Sequence, residues 1–188
     1  MSKNRTLKTN DLTVGATFAV KGKLASSRVA SHLDGDELIK YNQRRLQQGG
    51  IPIDKPHTFV TIREAEVIYK EKGKKTPEEI YAEESLFESK MVPGSGLSYS
   101  ITNKTSNLPY VVVKREGENI ADRVDLEKEL ARGLDVTLIM RVFKSRTNNG
   151  ISLDGVVITG KLAYYEPAQT SRDFSELDLD QLLFSKAG

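Results

Sequence analysis

The chain contains no cysteine and no tryptophan, and its only histidines are His32 and His57. Without cysteine there are no disulfides and no cysteine-ligated metals, which fits a reducing compartment. So little histidine leaves few bases for nucleophilic catalysis, which needs a base beside the nucleophile. His57 follows Pro56 at the start of a strand-like run, and His32 precedes a helix-like one; neither has paired ligands nearby for zinc. No phosphate-cradling GxxxxGK[ST] loop occurs, Gly94-Ser95-Gly96 being too short. The carboxylate pairs Glu78-Glu79 and Glu83-Glu84 fall on a predicted helix, where they read as a solvated face. These absences predict a protein that is not an enzyme and carries no cofactor. No apolar run approaches the roughly 18 residues of a membrane helix. Met1 to Asn10 is basic and polar, without the apolar stretch of a signal peptide. A cytoplasmic protein with no membrane partner is therefore expected.

What is present has the balance of a folded domain: 188 residues, 38% hydrophobic and 29% charged, enough chain to bury a core without staples. The net charge of +2 carries little information by itself; its distribution carries more. From Met1 to Arg28 the one acid, Asp11, faces Lys3, Arg5, Lys8, Lys21, Lys23 and Arg28. The other end is acidic, with Asp173, Glu176, Asp178 and Asp180. The expected division is a flexible basic arm (1–12), a folded domain (13–167) and an acidic C-terminal tail (168–188).

Within the domain, Val14, Ala16, Phe18, Val20, Gly22 and Leu24 share one parity, the signature of a strand with one buried face. Helical insertions are predicted near 34–48, capped by Asp34 or Asp36 and stopped by Gly49-Gly50, and near 77–90. The second begins with Thr76-Pro77-Glu78-Glu79, a capping box with proline at the first position. His57 to Lys70 is a long strand whose apolar parity changes between Ile62 and Ala65, predicting a bulge near Arg63–Glu66. Leu97 to Thr102 and Pro109 to Lys114 are short strands, Leu126 to Arg132 a short helix closed by Gly133. Val136 to Lys144 and Ile151 to Tyr165 are strands joined by the polar hairpin Ser145 to Gly150. Bent strands with a short helix before the last two describe a mainly β fold with inserted helices, a five-stranded Greek-key barrel of the OB type. A generic α+β domain with an antiparallel sheet is the competing reading.

The run from Leu126 to Tyr165 resembles the second half of an OB-fold single-stranded DNA-binding protein: helix, glycine, strand, polar hairpin, curved strand. The resemblance covers about two-thirds of the chain and is one of pattern, without an invariant motif. It points to the divergent single-stranded DNA-binding proteins of plasmids, conjugative elements or phages. It implies a sequence-tolerant protein that protects or organises single-stranded DNA in replication, recombination or conjugative transfer. It also implies partners: replication or transfer proteins through the acidic tail, and self-association through the N-terminal arm. Bacterial members close their tails on a short apolar tip; here Ser185 to Gly188 follow Asp173–Phe184, a departure from that pattern.

Single-strand binding needs cations along the backbone and flat rings for bases to stack on. The cations expected in the groove are Lys21, Lys23, Arg63, Lys70, Lys72, Lys74, Lys75, Arg141, Lys144 and Arg146. The rings expected to take part are Tyr69, Tyr99 and Tyr110, with Phe59, Phe143 and Tyr165 as further candidates. The competing reading is bland: strand aromatics usually pack in the core, and a lysine run is usually a solvated loop. Two other functions share this pattern, a scaffold subunit of a phage or conjugation assembly and an RNA-binding barrel.

Overall fold

The computed structural model describes residues 5–90, 93–94, 96–115 and 117–166. The acidic tail 168–188 and the first four residues of the arm lie outside them. The elements run β1 (Thr17–Leu33), α1 (Gly35–Gln47), β2 (His57–Ile68), α2 (Pro77–Ser85), β3 (Phe87–Glu88), β4 (Leu97–Asn103), β5 (Tyr110–Lys114), β6 (Ala121–Arg123), β7 (Asp135–Lys144) and β8 (Asn149–Thr159). The fold is mainly β, with two helices inserted as expected. Its strands form one open mixed sheet of eight, in the order β3-β4-β2-β1-β7-β8-β5-β6. All its ladders are antiparallel except β5 against β8, where Tyr110 faces Gly155 and Lys114 faces Thr159.

The apolar parity read from β1 buries Phe18, Val20 and Leu24. They meet Val60 and Ile62 of β2, Val136, Leu138 and Met140 of β7, and Leu153, Val156 and Ile158 of β8 in one core. β1 is the longest strand, pairing β2 on one edge and β7 on the other. The bulge expected at Arg63–Glu66 is present. Lys21 pairs Glu66 but Lys23 pairs Arg63, so one extra residue is accommodated, and Glu64 takes φ 51° to do so. Gly22 sits at the crossing because a Cβ there would lie 2.5 Å from the Arg63 carbonyl oxygen.

Several expectations fail for identifiable reasons. Leu126 to Arg132 is not helical. Seven residues scarcely repay helix nucleation, and this segment's groups bond elsewhere: Glu129 accepts the Val29 and Ala30 amides, and Leu130 bridges Tyr164. α2 stops at Ser85 rather than near 90, since Leu86 turns into the core and Phe87–Glu88 join β4. Asn149 and Gly150 are not the turn of the last hairpin but its first strand residues, Gly150 lying under the Phe143 ring. The arm is not free over its described length. Thr6 donates from its amide and hydroxyl to Glu84 (2.7 and 2.9 Å), Arg5 stands 4.8 Å over the Tyr81 ring, and Leu12 is buried. Asn10 then clamps the hairpin through Asn148 and the Asn149 amide. Nor are Glu78 and Glu79 a solvated face. Glu78 accepts the Thr13 amide, and Glu79 accepts those of Thr76 and Lys70. Burial pushes the Glu79 carboxyl up, but those bonds outweigh it and hold it below the usual carboxylate range.

Candidate nucleic-acid interface

The residues of α1 at 37, 40, 41 and 44 follow the i, i+3, i+4, i+7 spacing of one helical face. That face lies over the outer side of β1 and β2. Tyr41 stacks on Phe59 of β2 (centroids 5.7 Å apart, planes 24°) and tilts against buried His57 at 5.6 Å. His57 is held by a bond from Nδ1 to the Lys55 carbonyl (2.8 Å). Such ring pairs prefer offset contact and add to the burial energy, so α1 is fixed to the sheet by aromatics.

Between this helix face and the segment around Glu129–Arg132 runs a cavity of about 420 Å³. Its walls carry Arg28, Lys40, Arg44 and Arg132 against Glu37 and Glu129, and its rings are Tyr41, Phe59 and Tyr165. Positive charge is therefore in excess beside three rings, of which Tyr165 is exposed and Tyr41 and Phe59 are half-buried. Arg132 stands 5.5 Å over the Tyr165 ring and also lines an adjoining groove with Lys23 and Arg63. Together the two form a basic trough along the outer faces of β1 and β2.

Arg28 is the most engaged cation of the trough. It donates to the carbonyls of Ser31 (3.2 Å) and His32 (3.3 Å) and holds Glu37 with two nitrogens (2.7 and 3.2 Å). Glu129 lies 3.5 Å from its Nε. The bond from Arg28 keeps the Glu37 carboxyl below its ordinary value. No ion pair engages Lys40, Arg44 or Arg132 among the described residues.

The expected site residues distribute unevenly. Arg63 and Lys23 reach the trough, although Lys23 is paired with Asp135 at 3.1 Å. Lys21 pairs with Glu66 (3.4 Å) and Arg141 with Asp154 (2.6 Å), so both charges are answered on neighbouring strands. Arg141 also donates to the Gly15 carbonyl. Tyr99 is a correction: its ring is buried in the core and offers no face to a base. Tyr110 is half-buried and packs over Gly155, where a Cβ would meet the ring at 2.1 Å. Tyr69 is exposed on one side, but its hydroxyl donates to Glu83 and Lys75 stands 5.5 Å over its ring. That bond is the main cause raising its hydroxyl to a pKa of about 12. Lys75 is spent on Glu83 at 2.9 Å. Lys70, Lys72 and Lys74 are exposed around a tight turn, and Lys144 and Arg146 are exposed at the last hairpin. The sequence reading missed Lys40, Tyr41, Arg44 and Arg132 as site residues. The α1 spacing was the signal that could have found the first three.

No protein-family model, no curated protein and no solved structure matches this chain. Among the described residues, no helix is long and apolar enough to cross a membrane, and no group of three or more acidic or histidine side chains is placed to hold a metal ion.

Proposed function

We propose that the chain binds single-stranded nucleic acid, DNA in the first instance, with little sequence preference, along the trough beneath α1. The observation that carries this reading is the convergence of three cations with no ion-pair partner among the described residues, Lys40, Arg44 and Arg132, on the rings of Tyr41, Phe59 and Tyr165. Phosphates pair with the cations while bases stack on rings, and stacking discriminates weakly between bases. The trough, rather than the loop at Lys70–Lys75 or the strand cations Lys21 and Arg141, is the proposed binding surface.

We further propose that the sheet curls into an OB-type barrel, with β4 and β5 as two halves of one interrupted strand. Three features support this. β1 pairs on both edges. β5 runs parallel to β8 while β4 pairs β2. The Asn103 side-chain Nδ2 on β4 donates to the Leu153 carbonyl of β8 at 3.3 Å, bringing the two sides of the sheet together. In such a barrel the outer faces of the first strands form the groove used for oligonucleotides.

Fluorescence anisotropy with labelled single strand, duplex and RNA at several salt concentrations tests the function. The expected result is preference for single strands and a log–log salt slope of about −0.7 per phosphate neutralised. Equal affinity for duplex, or no binding at low salt, contradicts it; tighter binding to RNA assigns the trough to RNA. The scaffold reading has one observation in its favour. Ile39 and Leu46, one heptad apart on α1, are more than half exposed. It predicts stoichiometric protein capture that oligonucleotides do not disturb.

A further inference from the structure

The Arg28–Glu37 pair has an asymmetry that bears on how the trough is loaded. The Arg28 side chain is 19% exposed and Glu37 65% exposed, so the guanidinium lies inside and the carboxylate caps it from the solvent side. The inner side of Arg28 is held independently of Glu37, by the carbonyls of Ser31 and His32 and by Glu129. Glu129 is itself fixed by the amides of Val29 and Ala30. Removing Glu37 therefore leaves the guanidinium in place, with its two outer nitrogens aimed into a cavity that already holds Lys40, Arg44 and Arg132. The planar fork that accepts a carboxylate with two parallel bonds accepts a phosphate in the same geometry.

We propose that Glu37 is a placeholder on a phosphodiester seat: a backbone phosphate of the bound strand displaces its carboxylate from Arg28 and takes over the two-nitrogen contact. The inference rests on the trough being the single-strand site. It adds an internal competitor: Glu37 holds back a phosphate at this point, whereas a ligand without one leaves the Arg28–Glu37 pair intact.

The test compares Glu37→Gln with Asp36→Asn. The second removes the same unit charge from the same helical turn, at an exposed residue that makes no bond to Arg28. In salt-series titrations with an oligothymidylate, Glu37→Gln is expected to bind about fivefold more tightly, the scale of one exposed ion pair no longer competing. Its salt slope is expected to steepen if the freed contact also strengthens, by at most about 0.7, while Asp36→Asn leaves affinity nearly unchanged. Equal gains in both variants reduce the effect to net charge and overturn the proposal. So does a Glu37→Gln protein that is folded yet binds no better than the original. Glu37→Ala reads the same way if the glutamine amide keeps hold of Arg28. Failure of the original protein to bind any oligonucleotide strikes the underlying function instead. The seat is then judged separately by titrating inorganic pyrophosphate and following the Arg28 Nε–H resonance, which is expected to shift at lower concentration in Glu37→Gln and, if the seat does not exist, to shift equally in both.

Discussion

Two basic regions lie on either side of the β2 bulge, and they differ in what their charges are doing. In the loop after β2, Lys75 is paired with Glu83, Tyr69 is anchored to the same carboxylate, and Lys72 and Lys74 are exposed around that one ring. Beneath α1, cations from a helix and a distant segment converge on a ring stack. The loop is the richer of the two in lysine, yet α2 answers it with acid. What makes a binding surface is positive charge left unanswered beside a flat apolar one, and sequence runs report only the first half of that condition.

The largest expected effect breaks the comparison directly. Replacing Lys40, Arg44 and Arg132 together by alanine should weaken single-strand binding about 100-fold or more and flatten the salt slope by about 2, if each cation meets one phosphate. The matching triple at Lys70, Lys72 and Lys74 should change affinity less than about threefold, the scale of exposed charges acting at a distance. Comparable losses in both triples would erase the distinction between the regions.

The rings give the next contrast. Phe59→Ala should cost about 1–3 kcal/mol of binding, the range for loss of a stacking ring, with the change read by anisotropy. Tyr69→Ala should cost little binding, because that ring lies outside the trough, in the lysine loop. Gly22→Ala sharpens the picture from the side of the fold. It forces the β1–β2 crossing apart at the Arg63 carbonyl, and an overpacked site of this kind loses about 1–3 kcal/mol of stability, measurable by denaturant unfolding.

The smallest effect lies in alkaline stability. The bond to Glu83 raises the Tyr69 hydroxyl to about 12, above the value near 10 of an unfolded tyrosine. A raised value favours the protonated form in the folded state. Its contribution is therefore complete below about pH 10 and is lost as pH climbs through about 12. Tyr69→Phe should remove that pH dependence of the unfolding midpoint while leaving single-strand binding unchanged.

How far the sequence could be read follows from which forces are local. Period-2 alternation announced β1, β2 and β7, and the parity slip between Ile62 and Ala65 located the bulge, because burial of one sheet face is written into neighbouring residues. The Thr76–Glu79 capping box was legible for the same reason, and both of its bonds form. The failures involve partners distant in sequence. Leu126–Arg132 has helix-forming residues, but Glu129 is committed to amides about 100 positions away. Glu78 and Glu84 look like surface charge until Thr13 and Thr6 arrive to use them. In the site, Lys23 and Arg63 could be anticipated from strand parity. Lys40, Tyr41 and Arg44 form a readable helical face, but which surface that face covers depends on the Tyr41–Phe59 contact. Tyr99 was misassigned because alternation in a short strand does not say which parity is inside until the sheet around it is known.

The central claim is that bases lie on the rings under α1. Photocrosslinking an oligonucleotide carrying bromodeoxyuridine, followed by mass spectrometry of the tryptic peptides, tests it most directly. The account predicts adducts at Tyr41, Phe59 or Tyr165; adducts confined to Tyr69 and the lysine loop, or none on a protein that binds the strand, would contradict it.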